Sequence, residues 1–112
     1  MTLRENQSKF ARMITQLLIK ATELGYEYTL GEAYRPPEMA RIYAKDGRGI
    51  TSSLHCDRLA MDLLLFRNGV YLTKSADYQQ LGEFWESLGG SWGGRFSRPD
   101  GNHFSLAYGG RK

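Results

Sequence analysis

The run Leu59-Ala60-Met61-Asp62-Leu63-Leu64-Leu65-Phe66 constrains this chain more than any other stretch, because it is apolar throughout except for one carboxylate. Its length and the turn signal Asn68-Gly69 after it read as a fully or nearly buried strand. An ionised aspartate in such a strand needs a cation, a dense set of hydrogen bonds or a metal, since charge burial without pairing is costly. The only two histidines stand in sequences that also carry acids: Ser53-Leu54-His55-Cys56-Asp57-Arg58 and Asp100-Gly101-Asn102-His103-Phe104. Two histidines and one aspartate suffice for a zinc site with an open fourth position. His55 and Asp62 are an odd number of residues apart, which puts them on opposite faces of a continuous strand. They converge only if the chain bends, and polar Asp57-Arg58 offers the place. Other readings stay open: Asp62 as half of an ion pair with Arg58 or Arg95, and each histidine as an ordinary hydrogen-bonded side chain.

Around this run the pattern is mixed. Phe10, Met13, Ile14, Leu17, Leu18, Ala21 and Leu24 recur at helical spacing, with Thr2-x-x-Glu5 as a capping box and Gly25 as a stop. Such a stripe is core that covers a sheet. Residues 26–33 begin as an alternating strand and end at Tyr34-Arg35-Pro36-Pro37, whose prolines suit the first turn of a short helix through Glu38, Met39, Ile42 and Tyr43. Residues 45–52 are glycine-rich and polar, a loop leading to Ser53; without a Gly-Lys-Ser or Gly-Lys-Thr ending they are not a phosphate cradle. Val70-Tyr71-Leu72 after Asn68-Gly69 completes a hairpin. Ser75 is placed to cap a helix with Tyr78, Leu81, Trp85 and Leu88 on one face, ending at Gly89-Gly90. Short strands and a tight turn then deliver His103. The fold class expected is α+β, a small antiparallel sheet with helices packed against it.

At 112 residues the chain supports one core and is expected to be a single domain, residues 1–112, acting as a monomer. One cysteine, Cys56, leaves no internal disulfide to form, so the redox compartment stays open. A net charge of +3 favours anionic surfaces only mildly, such as bacterial cell wall, nucleic acid or acidic lipid. No apolar signal region opens the chain and no run reaches membrane-helix length, so the expectation is synthesis in the cytoplasm with no membrane insertion.

Chemistry requires more than ligands. Zinc on two neutral imidazoles and a carboxylate keeps positive charge and brings bound water towards neutral pKa, and hydrolysis then needs a base. Asp100, three residues before His103, can reach such a water from a tight turn; it is equally an ordinary turn residue of Pro99-Asp100-Gly101-Asn102. Arg35 can polarise a carbonyl or bind a carboxylate, or simply pair with Glu38 at the surface. Ser53 by itself is an ordinary loop serine.

The combination Ser53-x-His55-x6-Asp62 with Ala60, then Trp92-Gly93-Gly94-x-Phe96 and Asp100-x-x-His103-Phe104, resembles the zinc D-alanyl-D-alanine carboxypeptidases and L-alanyl-D-glutamate endopeptidases of peptidase family M15, the phage endolysin branch in particular. The resemblance runs from Tyr34-Arg35 to Phe104. It implies zinc (Zn2+) held by His55, Asp62 and His103, Asp100 as general base, and Arg35 and Ser53 in contact with substrate. It also implies a hedgehog/DD-peptidase-like fold with the zinc site on the sheet, and the peptidoglycan stem peptide, not nucleic acid, as partner. Two positions depart from the family pattern: Arg58 stands where many relatives have glycine, and Asp100 where the carboxypeptidase branch has glutamate.

The resulting expectation is an L-alanyl-D-glutamate endopeptidase that reaches the wall after release, with the D-alanyl-D-alanine carboxypeptidase or dipeptidase as its alternative. Three rivals carry less. Non-haem iron oxygenases share the ligand types but usually place a ligand pair two apart on a strand in a larger barrel. A Cys56 nucleophile with His103 as base has no obvious helix N-terminus to activate the thiol. A wall- or nucleic-acid-binding module would show salt-sensitive binding without chelator-sensitive hydrolysis.

Overall fold

A computed structural model describes residues 1–47 and 53–112. Helix α1 (Leu3–Glu23) starts at the capping box expected of it: Glu5 N–H donates to Thr2 Oγ1 at 3.1 Å and Thr2 N–H to Glu5 Oε1 at 2.9 Å. It stops where Gly25 takes a φ of +84°. Phe10, Met13, Leu17 and Ala21 turn inward, the stripe read from the sequence.

Strand β1 (Glu27–Leu30) is shorter than its alternating sequence suggests. The cause is local. Gly31 N–H donates to Asp62 O at 2.8 Å and Asp62 N–H to Glu32 O at 2.9 Å, so two residues face one in a bulge that ends regular pairing. Helix α2 (Pro37–Lys45) follows, its prolines filling positions that need no N–H donor. Asp46 and Gly47 lead out of it; the rest of the expected glycine-rich loop, 48–52, lies outside the described residues.

Strand β2 (Ala60–Arg67) is the centre of the sheet. It pairs antiparallel with β1 along one edge; along the other it pairs with β3 (Val70–Tyr71) near its end and with β5 (His103–Ser105) near its start. Strand β4 (Ser91–Trp92) adds to β5. The hairpin between β2 and β3 turns through Asn68 and Gly69, both at positive φ, as a two-residue primed turn requires. Complete burial of β2 is not what the structure shows. Met61, Leu63 and Leu65 are buried, whereas Asp62, Leu64 and Phe66 on the other face are only partly covered. The sheet is thus half-open, as antiparallel sheets commonly are.

The covered face carries the core. Helix α3 (Gln79–Ser87) supplies Trp85, whose ring meets Phe10 of α1 at 5.7 Å and Phe104 of β5 at 5.9 Å, both edge to face. Ser75 does not cap this helix. A 3-10 turn, Ser75–Tyr78, precedes it, in which Asp77 accepts from Lys74 N–H at 3.2 Å; Ser75 Oγ instead accepts from Gly101 N–H at 2.9 Å. Between β3 and β5 the edge of β2 is bridged by a side chain: Tyr78 Oη accepts from Leu65 N–H at 3.1 Å and donates to Leu72 O at 2.9 Å. Among the described residues no helix is long and apolar enough to cross a membrane.

Candidate metal centre

The open face of β2 carries Asp62, and cross-strand pairing sets His103 directly opposite on β5. His55 arrives by the bend expected between it and Asp62. Residues Leu54–Asp57 form a 3-10 turn, and Arg58 leaves it at φ 57°, ψ 37° before the chain enters β2. Arg58 thus adopts the left-handed conformation that glycine takes at least cost. The Arg58 guanidinium lies 4.0 Å over the Tyr34 ring, an attraction that offsets part of the strain.

Ring nitrogens of His55 and His103 and a carboxylate oxygen of Asp62 all lie within 4.8 Å of one another. Asp62 Oδ1 is 3.4 Å from His55 Nε2 and 3.5 Å from His103 Nδ1, and the two imidazoles stand edge to face at 5.2 Å. Neither contact has hydrogen-bond geometry. Asp62 Oδ1 is therefore a buried polar atom without a partner among the described residues, and His103 Nε2, on the far side of its ring, is another, a costly arrangement for a folded chain unless something completes it. Burial by itself raises the Asp62 carboxyl; with the imidazoles protonated, the N–H groups and charges of His103 and His55 overcome that and bring it down to about 2. An ionised oxygen acceptor beside two imidazoles fits a divalent cation. Neither Arg58 nor Arg95 pairs with Asp62: Arg95 binds Glu86 at 3.1 Å through both Nε and Nη2.

His55 is oriented from behind. Its Nδ1 faces Ala33 O at 3.3 Å, so a proton there leaves the Nε2 lone pair turned towards Asp62. Ser53 Oγ accepts from His55 N–H at 3.1 Å and is itself buried, so the role seen for Ser53 is to cap the turn that presents His55.

Asp100 sits in a turn with its backbone fixed on every side. Asp100 N–H donates to Gly93 O at 2.9 Å, His103 N–H to Asp100 O at 3.1 Å, Leu63 N–H to Asn102 O at 2.8 Å, and Trp92 Nε1 to Gly101 O at 2.7 Å. A Cβ on Gly93 would meet Asp100 O at 2.2 Å and the His103 Cβ at 2.8 Å, which explains why the Trp92-Gly93-Gly94 segment carries no side chain there. Asp100 is an exposed residue, but partial desolvation of its carboxyl and then the charge of Asp62 raise it above the usual aspartate range, with His103 and His55 opposing. A carboxylate near the cluster with a raised pKa suits a group that must hold a proton in part of its cycle.

Arg35 lies beside His55, its N–H donating to His55 O at 3.1 Å, and does not pair with Glu38, which lies 3.9 Å from Arg41. Its Nε donates to Glu32 Oε1 at 2.8 Å, its Nη2 lies 2.5 Å from the same oxygen, and its guanidinium stands 5.1 Å over the Tyr43 ring. The pairing with Glu32 is what the sequence hides. Nothing in Gly31-Glu32-Ala33 marks it, because its position depends on the bulge opposite Asp62.

A family model for peptidase family M15 described as D-alanyl-D-alanine carboxypeptidase matches residues 46–106, more than half of the chain. The chain belongs to this peptidase family. Its fold is similar to the crystal structure of Serratia marcescens L-Ala D-Glu endopeptidase ChiX, with a TM-score of 0.73 at 22% identity over 93% of this chain and 85% of that one. No curated protein matches the sequence. The α+β architecture expected from the sequence is thus the fold of the family, and the peptidase's candidate metal cluster lies on the open face of its sheet.

Proposed function

We propose that this peptidase is a zinc-dependent peptidoglycan hydrolase that cuts the stem peptide between L-alanine and D-glutamate, working as a monomeric endolysin of phage or prophage type. The observation carrying the reading is the meeting of His55, Asp62 and His103 around a carboxylate oxygen that no donor among the described residues satisfies, with the raised Asp100 carboxyl beside it. Zinc held by those three side chains would supply Lewis acidity and a water of lowered pKa. Asp100 accepts the proton of the attacking water and returns it to the departing amine, a cycle for which a raised carboxyl pKa is suited. Arg35 turns its remaining N–H groups to the carbonyl of the scissile bond or to a side-chain carboxylate nearby, and Ser53 flanks the substrate while holding His55.

The choice of bond rests on charge. A carboxypeptidase needs a cation to hold a free chain end, but the Arg35 charge is already balanced by Glu32 at contact distance. An arginine so paired serves better as a directed N–H donor than as an end-carboxylate clamp. Asp100 in place of glutamate points the same way by resemblance, and so does the likeness in fold to ChiX, an L-Ala D-Glu endopeptidase. Synthesis in the cytoplasm and action on the wall after release complete the reading.

The test is digestion of purified peptidoglycan followed by mass analysis. New amino groups on glutamate, with alanine left on the glycan side, are expected. Release of D-alanine alone, with stem peptides still attached, would assign the carboxypeptidase reaction instead.

A further inference from the structure

We propose that Glu32 is the positioning residue that aims Arg35, and through it sets the turnover of the peptidase reaction; the inference rests on that reading. The observations are geometric. One oxygen, Glu32 Oε1, takes the Arg35 Nε–H at 2.8 Å and lies 2.5 Å from Nη2, and the same oxygen is 3.7 Å from His55 Nδ1. The backbone of Glu32 is equally fixed, since its carbonyl accepts from Asp62 N–H at 2.9 Å within the bulge. Arg35 N–H in turn donates to His55 O at 3.1 Å. Glu32, Arg35, His55 and Asp62 therefore form one closed set: a shift of any backbone moves the others.

The arrangement uses only one edge of the guanidinium. Nε–H and one Nη2 hydrogen point to Glu32 and the Tyr43 ring covers one face, which leaves the two Nη1 hydrogens and the second on Nη2 for an oxygen of the substrate. The Arg35 side chain is only 14% exposed, so its range of rotamers is narrow and Glu32 selects among few. A donor held in one direction before substrate arrives lowers the barrier more than it tightens ground-state binding. The contribution of Glu32 is consequently a kcat effect.

The experiment compares wild type, Glu32→Ala, Arg35→Ala and the double variant for hydrolysis of purified peptidoglycan, with zinc content, melting temperature and the Arg35 Nε–H NMR signal measured for each Arg35-containing form. Glu32→Ala is expected to lower kcat about 10–100-fold with KM little changed, the size usual for loss of a supporting hydrogen bond behind a reacting group. Zinc content should hold, Glu32→Ala should cost nothing further in the Arg35→Ala background, and Glu32→Gln should recover part of the rate. The Nε–H signal should move and exchange faster in Glu32→Ala, a readout independent of hydrolysis. An equal loss in both backgrounds, zinc lost in step with rate, or an unmoved Nε–H signal would overturn the proposal. Absence of hydrolysis by zinc-loaded wild type would instead refute the functional reading, while the NMR signal would still decide the Glu32–Arg35 contact.

Discussion

Asp62 and His103 are directly opposed residues of adjacent antiparallel strands, and that register sets His103 Nδ1 3.5 Å from Asp62 Oδ1. Two of the three candidate ligands are therefore fixed by the ladder of the sheet, the most rigid support the fold offers. Only His55 depends on a turn.

Metal content should follow this division. Wild type is expected to bind about one zinc, with chelation abolishing hydrolysis and zinc raising the melting temperature by mass action. His55→Ala, Asp62→Ala and His103→Ala should each lower zinc occupancy, as measured by metal analysis after dialysis. Full hydrolysis by verified metal-free protein would sink the zinc reading.

Asp100→Asn should separate rate from metal. The amide keeps the turn but cannot accept the proton, so a loss of roughly 10²–10⁴-fold in kcat with zinc retained is expected. The folded carboxyl lies above its unfolded value, so the fold binds more protons there and its ionised form opposes folding as pH rises through the window. In metal-free protein, Asp100→Asn should thus be more stable than wild type near neutral pH. Denaturant titrations should show that gain vanish below about pH 4, where an ordinary aspartate is protonated in both states.

At position 58 the usual ranking of residues should reverse. Arg58 has φ 57° and stacks on Tyr34. Arg58→Ala keeps the left-handed strain and loses the stacking, whereas Arg58→Gly removes the strain. Glycine should be the more stable of the two by about 1 kcal/mol in chemical denaturation, the opposite of their order in a helix. Equal stability would show that the bend relaxes.

Gly93→Ala tests the wall behind the Asp100 turn. Its Cβ would overlap Asp100 O and crowd the His103 Cβ, so the turn must shift. A stability loss of about 1–3 kcal/mol is expected, with a loss of hydrolysis larger than unfolding explains at the assay temperature. Unaltered turnover would show that the turn tolerates displacement.

The legible part of this fold was whatever short-range pattern controls. The helical stripe from Phe10 to Leu24, the Asn68-Gly69 turn and the apolar run of β2 each carry their structure in adjacent residues. The bend at Asp57-Arg58 was required once His55 and Asp62 were to meet, and the structure supplies it. Ser75 misled because a serine before a helical pattern looks like a cap, while its hydroxyl serves Gly101, distant in sequence. The pairing of Glu32 and the bridging hydroxyl of Tyr78 were illegible for a related reason. Their partners, Arg35 held beside a bulge and the bare edge of β2, exist only after the strands have paired.

The Tyr78 hydroxyl has a consequence for engineering. By spanning Leu65 and Leu72 it ends the β2–β3 ladder before that ladder reaches β5, so along this edge of β2 the hairpin tip and the Asp62–His103 pair have different neighbours. Length changes at Asn68-Gly69 would then be absorbed in the tip. The hairpin is a natural graft point for a wall-targeting peptide, because residues added there leave the register of the ligands untouched.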